Sequence, residues 1–329
     1  MSATQTPLSI RHLTLKNRIV MPPLATAKST EDGLVTEAII SHYEERAKHG
    51  HIGLVITEHS FVARAGKASA GMMSVASDDC IPGLQKLTDM FHRHETPVFC
   101  QINHAGSATS TELTGEEVVS ASDVPLPAGT KTTNSAPPRA LATGELEGIV
   151  RAYAEAAGRV KAAGYDGVEI HAAHAYLLNQ FYSPLTNHRT DAYGGSLQNR
   201  MRLLTEVYHA VRDTVGSDYP VAVRLGACDH MEGGNTLEDA VGAAVMLEKE
   251  GVDLIDVTGG MCRYILPGHT EPGYFGEEAA AIKAAVSVPV ILTGGIRTME
   301  DAERLLGEQK ADLIGVGRAL LQNPAWPEG

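Results

Sequence analysis

The sequence predicts a single (β/α)8 barrel spanning residues 1–329, and three observations carry that expectation. Short β-branched runs alternate with longer amphipathic segments from start to finish, as in a parallel sheet with crossover helices. Eight such pairs can be counted, the number that closes a barrel. No Pro/Ser/Gly-rich linker divides them into halves. A length of 329 residues would otherwise suggest two domains, but barrels of this kind routinely run that long as one.

In chain order the predicted strands are Ile19–Leu24, Gly53–Thr57, Pro97–Ile102, Gly167–His171, Pro220–Leu225, Leu254–Thr258, Val288–Thr293 and Leu313–Val316. Most lack strict polar alternation, as strands covered on both faces should. Helix starts are marked by hydroxyl residues: Thr36 before Glu37, Ser196 before Leu197–Val215, and Thr236 before a run that ends at Gly251. A faint repeat, Ala163-Gly164-Tyr165-Asp166, Glu250-Gly251-Val252-Asp253 and Lys310-Ala311-Asp312, recurs at the helix-to-strand joints of units four, six and eight. The longest irregular stretch, residues 104–143, follows strand three, where a barrel places a loop over its mouth. An open doubly wound sheet would instead advertise a G-x-G-x-x-G turn after its first strand, and here that strand runs into Pro22-Pro23-Leu24.

Composition narrows the function classes. Hydrophobic residues make up 43% of the chain, enough for a large core. Forty Asp and Glu against 27 Lys and Arg give a net charge of −13, which disfavours a general nucleic-acid or membrane-surface binder. Neither a signal-like start nor a long apolar run appears, so a cytoplasmic location is expected. Cys80, Cys100, Cys228 and Cys262 form no C-x-x-C pair, and neither a disulfide framework nor a zinc or iron–sulfur site is indicated.

Barrel chemistry sits at the C-terminal strand ends, which are unusually polar here. Gly294-Gly295 and Gly317-Arg318 follow strands seven and eight, where glycine backbone and a guanidinium suit a phosphate. Period-two logic points Arg224 inward with Ala222, so it needs an anion: either a structural carboxylate such as Glu169 or charge on a bound ring system. His171 and His174 lack the third ligand and the H-E-x-x-H spacing of a zinc site, so no metal is expected there. As hydrogen-bond donors they would polarise a carbonyl, and Tyr176, with an ordinary pKa near 10, would be a proton donor.

The segment His171-Ala172-Ala173-His174-Ala175-Tyr176, continuing through Ser183-Pro184-Leu185-Thr186-Asn187-His188-Arg189-Thr190-Asp191 to Tyr193-Gly194-Gly195-Ser196 and Asn199-Arg200, resembles the signature of the Old Yellow Enzyme family of FMN-dependent ene-reductases. Leu15-Lys16-Asn17-Arg18-Ile19-Val20-Met21, Gln101, His104-Ala105-Gly106, Gly317-Arg318-Ala319-Leu320 and Asn323-Pro324 extend the resemblance over nearly the whole chain. It implies a short, single TIM barrel holding FMN, with NADH or NADPH as reductant and an enone-type small molecule as substrate. Pro22, Pro23, Leu24, Ala25, His59, Gln101 and Arg224 would surround the ring, and Gly294, Gly295, Gly317 and Arg318 would hold the phosphate. His171 and His174 would grip the substrate carbonyl. Tyr176 would protonate the α-carbon after hydride passes from flavin N5 to the β-carbon, in a ping-pong cycle through one pocket. The family further implies a homo-oligomer, a dimer or tetramer. Ala25 stands where the family usually has Thr or Cys, and Ala27 replaces a substrate-lining tyrosine of one subgroup. His59 stands where a small residue is common, and Ser107 replaces a frequent arginine. Two other classes compete with the reductase: a flavin-binding sensory or ligand-binding barrel with little turnover, and a flavin-free barrel lyase using His171 and His174 as acid and base.

Overall fold

The computed structural model describes residues 2–130 and 136–327. Eight parallel strands close on themselves in sequence order. They are β1 (Ile19–Met21), β2 (Leu54–Phe61), β3 (Val98–Asn103), β4 (Gly167–Ala172), β5 (Val221–Gly226), β6 (Leu254–Thr258), β7 (Val290–Thr293) and β8 (Leu313–Gly315). Pairing of β8 with β1, Gly315 opposite Val20, completes the cylinder. The principal helices are α1 (Glu37–Ala47), α2 (Ile81–Arg93), α3 (Leu146–Ala162), α4 (Leu197–Val215), α5 (Leu237–Glu250), α6 (Gly276–Ala285), α7 (Met299–Gly307) and α8 (Arg318–Gln322). No helix among the described residues is long and apolar enough to cross a membrane.

The expected hydroxyl caps form. The hydroxyls of Thr36, Ser196 and Thr236 accept from the backbone N–H groups of Ile39, Asn199 and Asp239. Asp239 accepts in return from the Thr236 N–H at 2.9 Å, closing a capping box. The faint repeat acquires a physical reason. Asp166, Asp253 and Asp312 each accept through Oδ2 from the first N–H of the preceding strand: Val98 at 2.8 Å, Val221 at 2.9 Å and Val290 at 3.0 Å. The same three carboxylates pair with His92, Arg212 and Lys283, at or near the ends of α2, α4 and α6. Each aspartate therefore ties a strand start to a neighbouring helix end, where charge-assisted hydrogen bonds outdo neutral ones.

Strand boundaries depart from expectation at the mouth. The first strand stops at Met21 because Pro22 and Pro23 have no N–H to give the ladder. The second runs four residues beyond the predicted Thr57, with a register shift between Thr57 and Ser60. That irregularity is a bulge, and it redirects His59. Residues 104–143 contain the short helix Thr111–Thr114 and the parallel pair Val119–Ser120 with Arg139–Ala140; residues 131–135 of this stretch lie outside the described set. Ala105, Ala108 and Leu126 pack against Tyr176, so this stretch does reach the mouth.

Two apolar layers position the site. Val20, Leu54, Ile56, Phe99, Ala222, Leu254, Ile291 and Leu313 fill the cylinder. An N-terminal hairpin, Leu8–Ile10 paired with Leu13–Leu15, adds Ile10 and Leu15 to that same cluster. Residues of opposite parity, such as Val221, Val223 and Leu225, face the helices. Ala222 thus points inward, and Arg224 with it, as the strand period requires.

Candidate active site

A cavity of about 460 Å³ opens at the C-terminal end of the cylinder. That lies within the usual range for small-molecule and cofactor sites. Pro22, Pro23, Leu24 and Ala25 form one wall, with His59 and Gln101 beside them. His171, His174, Tyr176 and Arg224 line it from β4 and β5, and Gly294, Gly295, Gly317 and Arg318 from beyond β7 and β8. Ala27 is not brought to this cavity. It lies exposed beyond the rim, at a left-handed φ of 54°.

The three proposed catalytic side chains converge because the chain reverses after β4. His174 and Ala175 both adopt left-handed backbone, φ 60° and 61°, a conformation costing roughly 1–3 kcal/mol at each non-glycine residue. Surrounding bonds hold the turn: the Ala175 N–H donates to Asn179 Oδ1 at 2.8 Å, and the Gln180 side-chain amide donates to the Ala175 carbonyl at 2.6 Å. The result is an edge-on pair of imidazoles, centroids 4.9 Å apart, with the Tyr176 ring 5.2 Å from His171. His59 joins them, 5.6 Å from Tyr176, placed there by the bulge in β2.

Burial decides the protonation states. His171 and His174 are both held well below the usual imidazole range, first by desolvation and then by Arg224. His59 is pushed down to about 4 by the same two kinds of effect, with Arg263 ahead of Arg224. All three are neutral at pH 7, so each ring carries one N–H donor. His174 Nε2 shares a 3.0 Å hydrogen bond with the Thr258 hydroxyl. His171 Nδ1 is buried without a hydrogen-bond partner. Tyr176 is raised by burial against the opposing pull of Arg263, so its phenol stays protonated.

Beneath the cavity lies an ionic cluster. In register, Arg224 stands between His171 on β4 and Asp256 on β6. Its Nε lies 3.0 Å from Asp256 Oδ2, an ion pair whose angle falls short of a hydrogen bond, with both side chains buried. The carboxylate that pairs with Arg224 is therefore Asp256 rather than Glu169. Glu169 instead accepts from Gln101 Nε2 at 2.8 Å. Burial, reinforced by Asp256, raises Glu169 to about 8, and burial raises Asp256 as well.

Several wall residues escaped the sequence reading. Arg263, Tyr264 and Tyr274 reach the cavity from the β6–α6 loop. The Arg263 guanidinium lies 5.8 Å above the Tyr176 ring, with Nη2 3.5 Å from the phenol oxygen. Tyr274 packs so tightly on Gly294 and Gly295 that a Cβ at either would come within about 3.0 Å of its ring. Both glycines also have positive φ, 137° and 68°, so the turn requires them. Arg318 touches the Tyr274 hydroxyl at 3.4 Å, and no carboxylate among the described residues pairs with it. His104 turns away from the cavity and accepts from the Gly106 N–H at 3.1 Å.

Comparisons with known proteins identify the family and the fold. The model of the NADH:flavin oxidoreductase / NADH oxidase family matches residues 5–329. An NADH oxidase from Thermoanaerobacter brockii is 40% identical over 326 residues, 97% of this chain and 49% of the relative. An NADPH dehydrogenase from Halalkalibacterium halodurans is 40% identical over 319 residues, 97% of this chain and 90% of the relative. The chain thus spans about half the length of the first relative and nearly all of the second. Among solved structures, 2-naphthoyl-CoA reductase in complex with 2-naphthoyl-CoA superposes with a TM-score of 0.91 at 29% identity, over 99% of this chain and 51% of that one. An old yellow enzyme homologue from Zymomonas mobilis superposes at 0.85 and 29% identity, over 98% and 91%. Morphinone reductase in complex with tetrahydroNAD also superposes at 0.85 and 29%, over 99% and 89%. The eight-stranded barrel, the cavity at its C-terminal end and the family match over residues 5–329 make this chain a member of the NADH:flavin oxidoreductase / NADH oxidase family, the FMN-dependent Old Yellow Enzyme family.

Proposed function

We propose that this barrel binds FMN across its C-terminal mouth and uses NADH or NADPH to reduce the activated C=C bond of an α,β-unsaturated carbonyl compound. The observation that carries this reading is the convergence of two neutral imidazoles and one protonated phenol on a single cavity. The residues present fit the cofactor. Arg318 faces the cavity with no carboxylate partner among the described residues, beside the glycine turns 294–295 and 317, and that chemistry suits a phosphate. Pro22 to Ala25, His59, Gln101 and Arg224 would bound the ring, with the Arg224 cation stabilising negative charge on it. Bound there, FMN supplies the two-electron carrier that exchanges hydride with nicotinamide and with substrate.

The chain's own groups do the rest. His171 and His174, as neutral donors, hydrogen-bond the substrate carbonyl and stabilise the charge that develops on its oxygen. The Tyr176 O–H delivers its proton to the α-carbon, and Arg263 beside it stabilises the phenolate left behind. Neither imidazole carries a second proton near pH 7, which disfavours an acid–base lyase built on that pair. The similar structures include proteins named as reductases of 2-naphthoyl-CoA and morphinone, which supports a small unsaturated carbonyl substrate.

With one cavity serving both reactants, the nicotinamide, oxidised once it has given up its hydride, must leave before the enone enters. Steady-state rates measured over a grid of NADPH and cyclohexenone concentrations should give parallel double-reciprocal lines. Lines that intersect would mean a ternary complex and would contradict the shared pocket.

A further inference from the structure

Beyond the mouth, one cluster of metal-ligating side chains plays no part in the flavin reading. Cys228 and His230 follow β5, and Glu278 is the third residue of α6. Their ligand atoms, the Cys228 thiol sulfur, an imidazole nitrogen and a carboxylate oxygen, all lie within 4.8 Å of one another. The His230 Nε2 to Glu278 Oε1 distance is 2.7 Å. Tetrahedral zinc, with bonds of about 2.0–2.3 Å, needs ligand atoms roughly 3.3–3.8 Å apart, so modest side-chain rotation reaches that geometry. Glu278 and Cys228 are buried, and His230 is 27% exposed at its side chain, which gives the ion a route in from solvent. Glu278 has His230 as its only ion-pair partner among the described residues. A 95% buried carboxylate beside a thiol thus has one partly exposed imidazole, besides the N-terminal turn of α6, to compensate it.

We propose that Cys228, His230 and Glu278 form a binding site for a divalent cation of the zinc class, with solvent in the fourth position. The mixed sulfur, nitrogen and oxygen set suits zinc, whereas magnesium and calcium require oxygen ligands. Binding displaces the Cys228 thiol proton to solvent, and the thiolate and carboxylate together neutralise the dication. Metal uptake therefore weakens as pH falls and protons compete for the ligand atoms. The ion would clip the end of β5 to the start of α6. The loop between β6 and α6, which carries Arg263, Tyr264 and Tyr274 to the cavity, ends at that clip.

Cobalt(II) is the probe, titrated into tag-free protein with its flavin retained. The expected result is saturable uptake of one Co²⁺ per chain, with tetrahedral d–d bands at wavelengths beyond the flavin absorption, displaced by Zn²⁺. Glu278→Gln and Cys228→Ser should each weaken binding by at least about 100-fold, since changes in the outer shell alone cost 10–100-fold. His230→Asn, at a partly exposed position where misfolding is not a concern, should do the same, and Cys80→Ser, remote from the cluster, should not. Saturating Zn²⁺ should also raise the Tm of the parent protein by mass action, and not that of His230→Asn. Absence of saturable Co²⁺ uptake, or uptake that survives His230→Asn and Glu278→Gln unchanged, would overturn the site. Flavin content and enone turnover play no part in these readouts, so failure here is distinct from failure of the reductase reading.

Discussion

Tyr176→Phe should slow enone-dependent reoxidation of the flavin by about 10²–10⁴-fold while leaving its reduction by NAD(P)H near the parental rate. The substitution removes one oxygen from a ring that is 5% exposed and packed against Ala105, Ala108 and Leu126, so the cavity keeps its shape. Reduction by nicotinamide needs no proton donor at that position. Burial raises the phenol above its ordinary range, so the parental reoxidation rate should hold flat from pH 6 to 8. Stopped-flow traces of the two half-reactions separate these outcomes. An unchanged reoxidation rate would remove Tyr176 as the proton source.

Arg224→Met should destabilise the flavin-depleted protein by about 3–5 kcal/mol above pH 8, because it leaves Asp256 buried and unpaired beside Glu169. The Tm should drop by on the order of 10 °C. The loss should depend on pH, in a direction fixed by the raised carboxyl groups. Glu169 binds its proton more tightly folded than unfolded, so its contribution is fully present below the ordinary carboxylate range and is lost as pH rises towards about 8. Arg224 opposes that rise by stabilising the ionised forms of both Glu169 and Asp256. Without it both carboxyls resist ionisation to still higher pH, and the variant's deficit should widen from pH 5 to pH 9. Urea denaturation at those pH values measures the gap, and a gap independent of pH would contradict the ionic cluster described here.

The barrel was legible because each of its devices has a local signature. Thr36, Ser196 and Thr236 announce helix starts, and Asp166, Asp253 and Asp312 mark joints where one side chain serves a strand and a helix at once. What was lost depends on how the chain closes. The hairpin Leu8–Ile10 with Leu13–Leu15 has three residues per strand, too few to show a period. The extension of β2 through Glu58 and His59 contradicts the apolar run before it, and it is sustained by pairing with β3 and by a bridge from Phe61 to Ser74. Strand period correctly turned Arg224 inward, yet it could not choose Asp256 over Glu169, because that choice depends on which neighbouring strand offers its carboxylate at the right height.

Side chains on loops were the least accessible to sequence reasoning. His171, His174 and Tyr176 fall within six consecutive positions and carry a recognisable pattern, although their convergence depends on two left-handed residues that no propensity favours. Arg263, Tyr264 and Tyr274 sit in a stretch without periodicity, and only the path of the β6–α6 loop brings them to the cavity. Cys228 and Glu278 are separated by fifty positions, so no ligand spacing betrays their proximity.

The most direct test of the account is an anaerobic spectrum of the purified protein, taken before and after one equivalent of NADPH or NADH and again after one equivalent of an enone. The account predicts a visible flavin band that bleaches with the nicotinamide and returns in full with the enone. A protein with no flavin band, or one whose bleached band returns only on admission of oxygen, would contradict it.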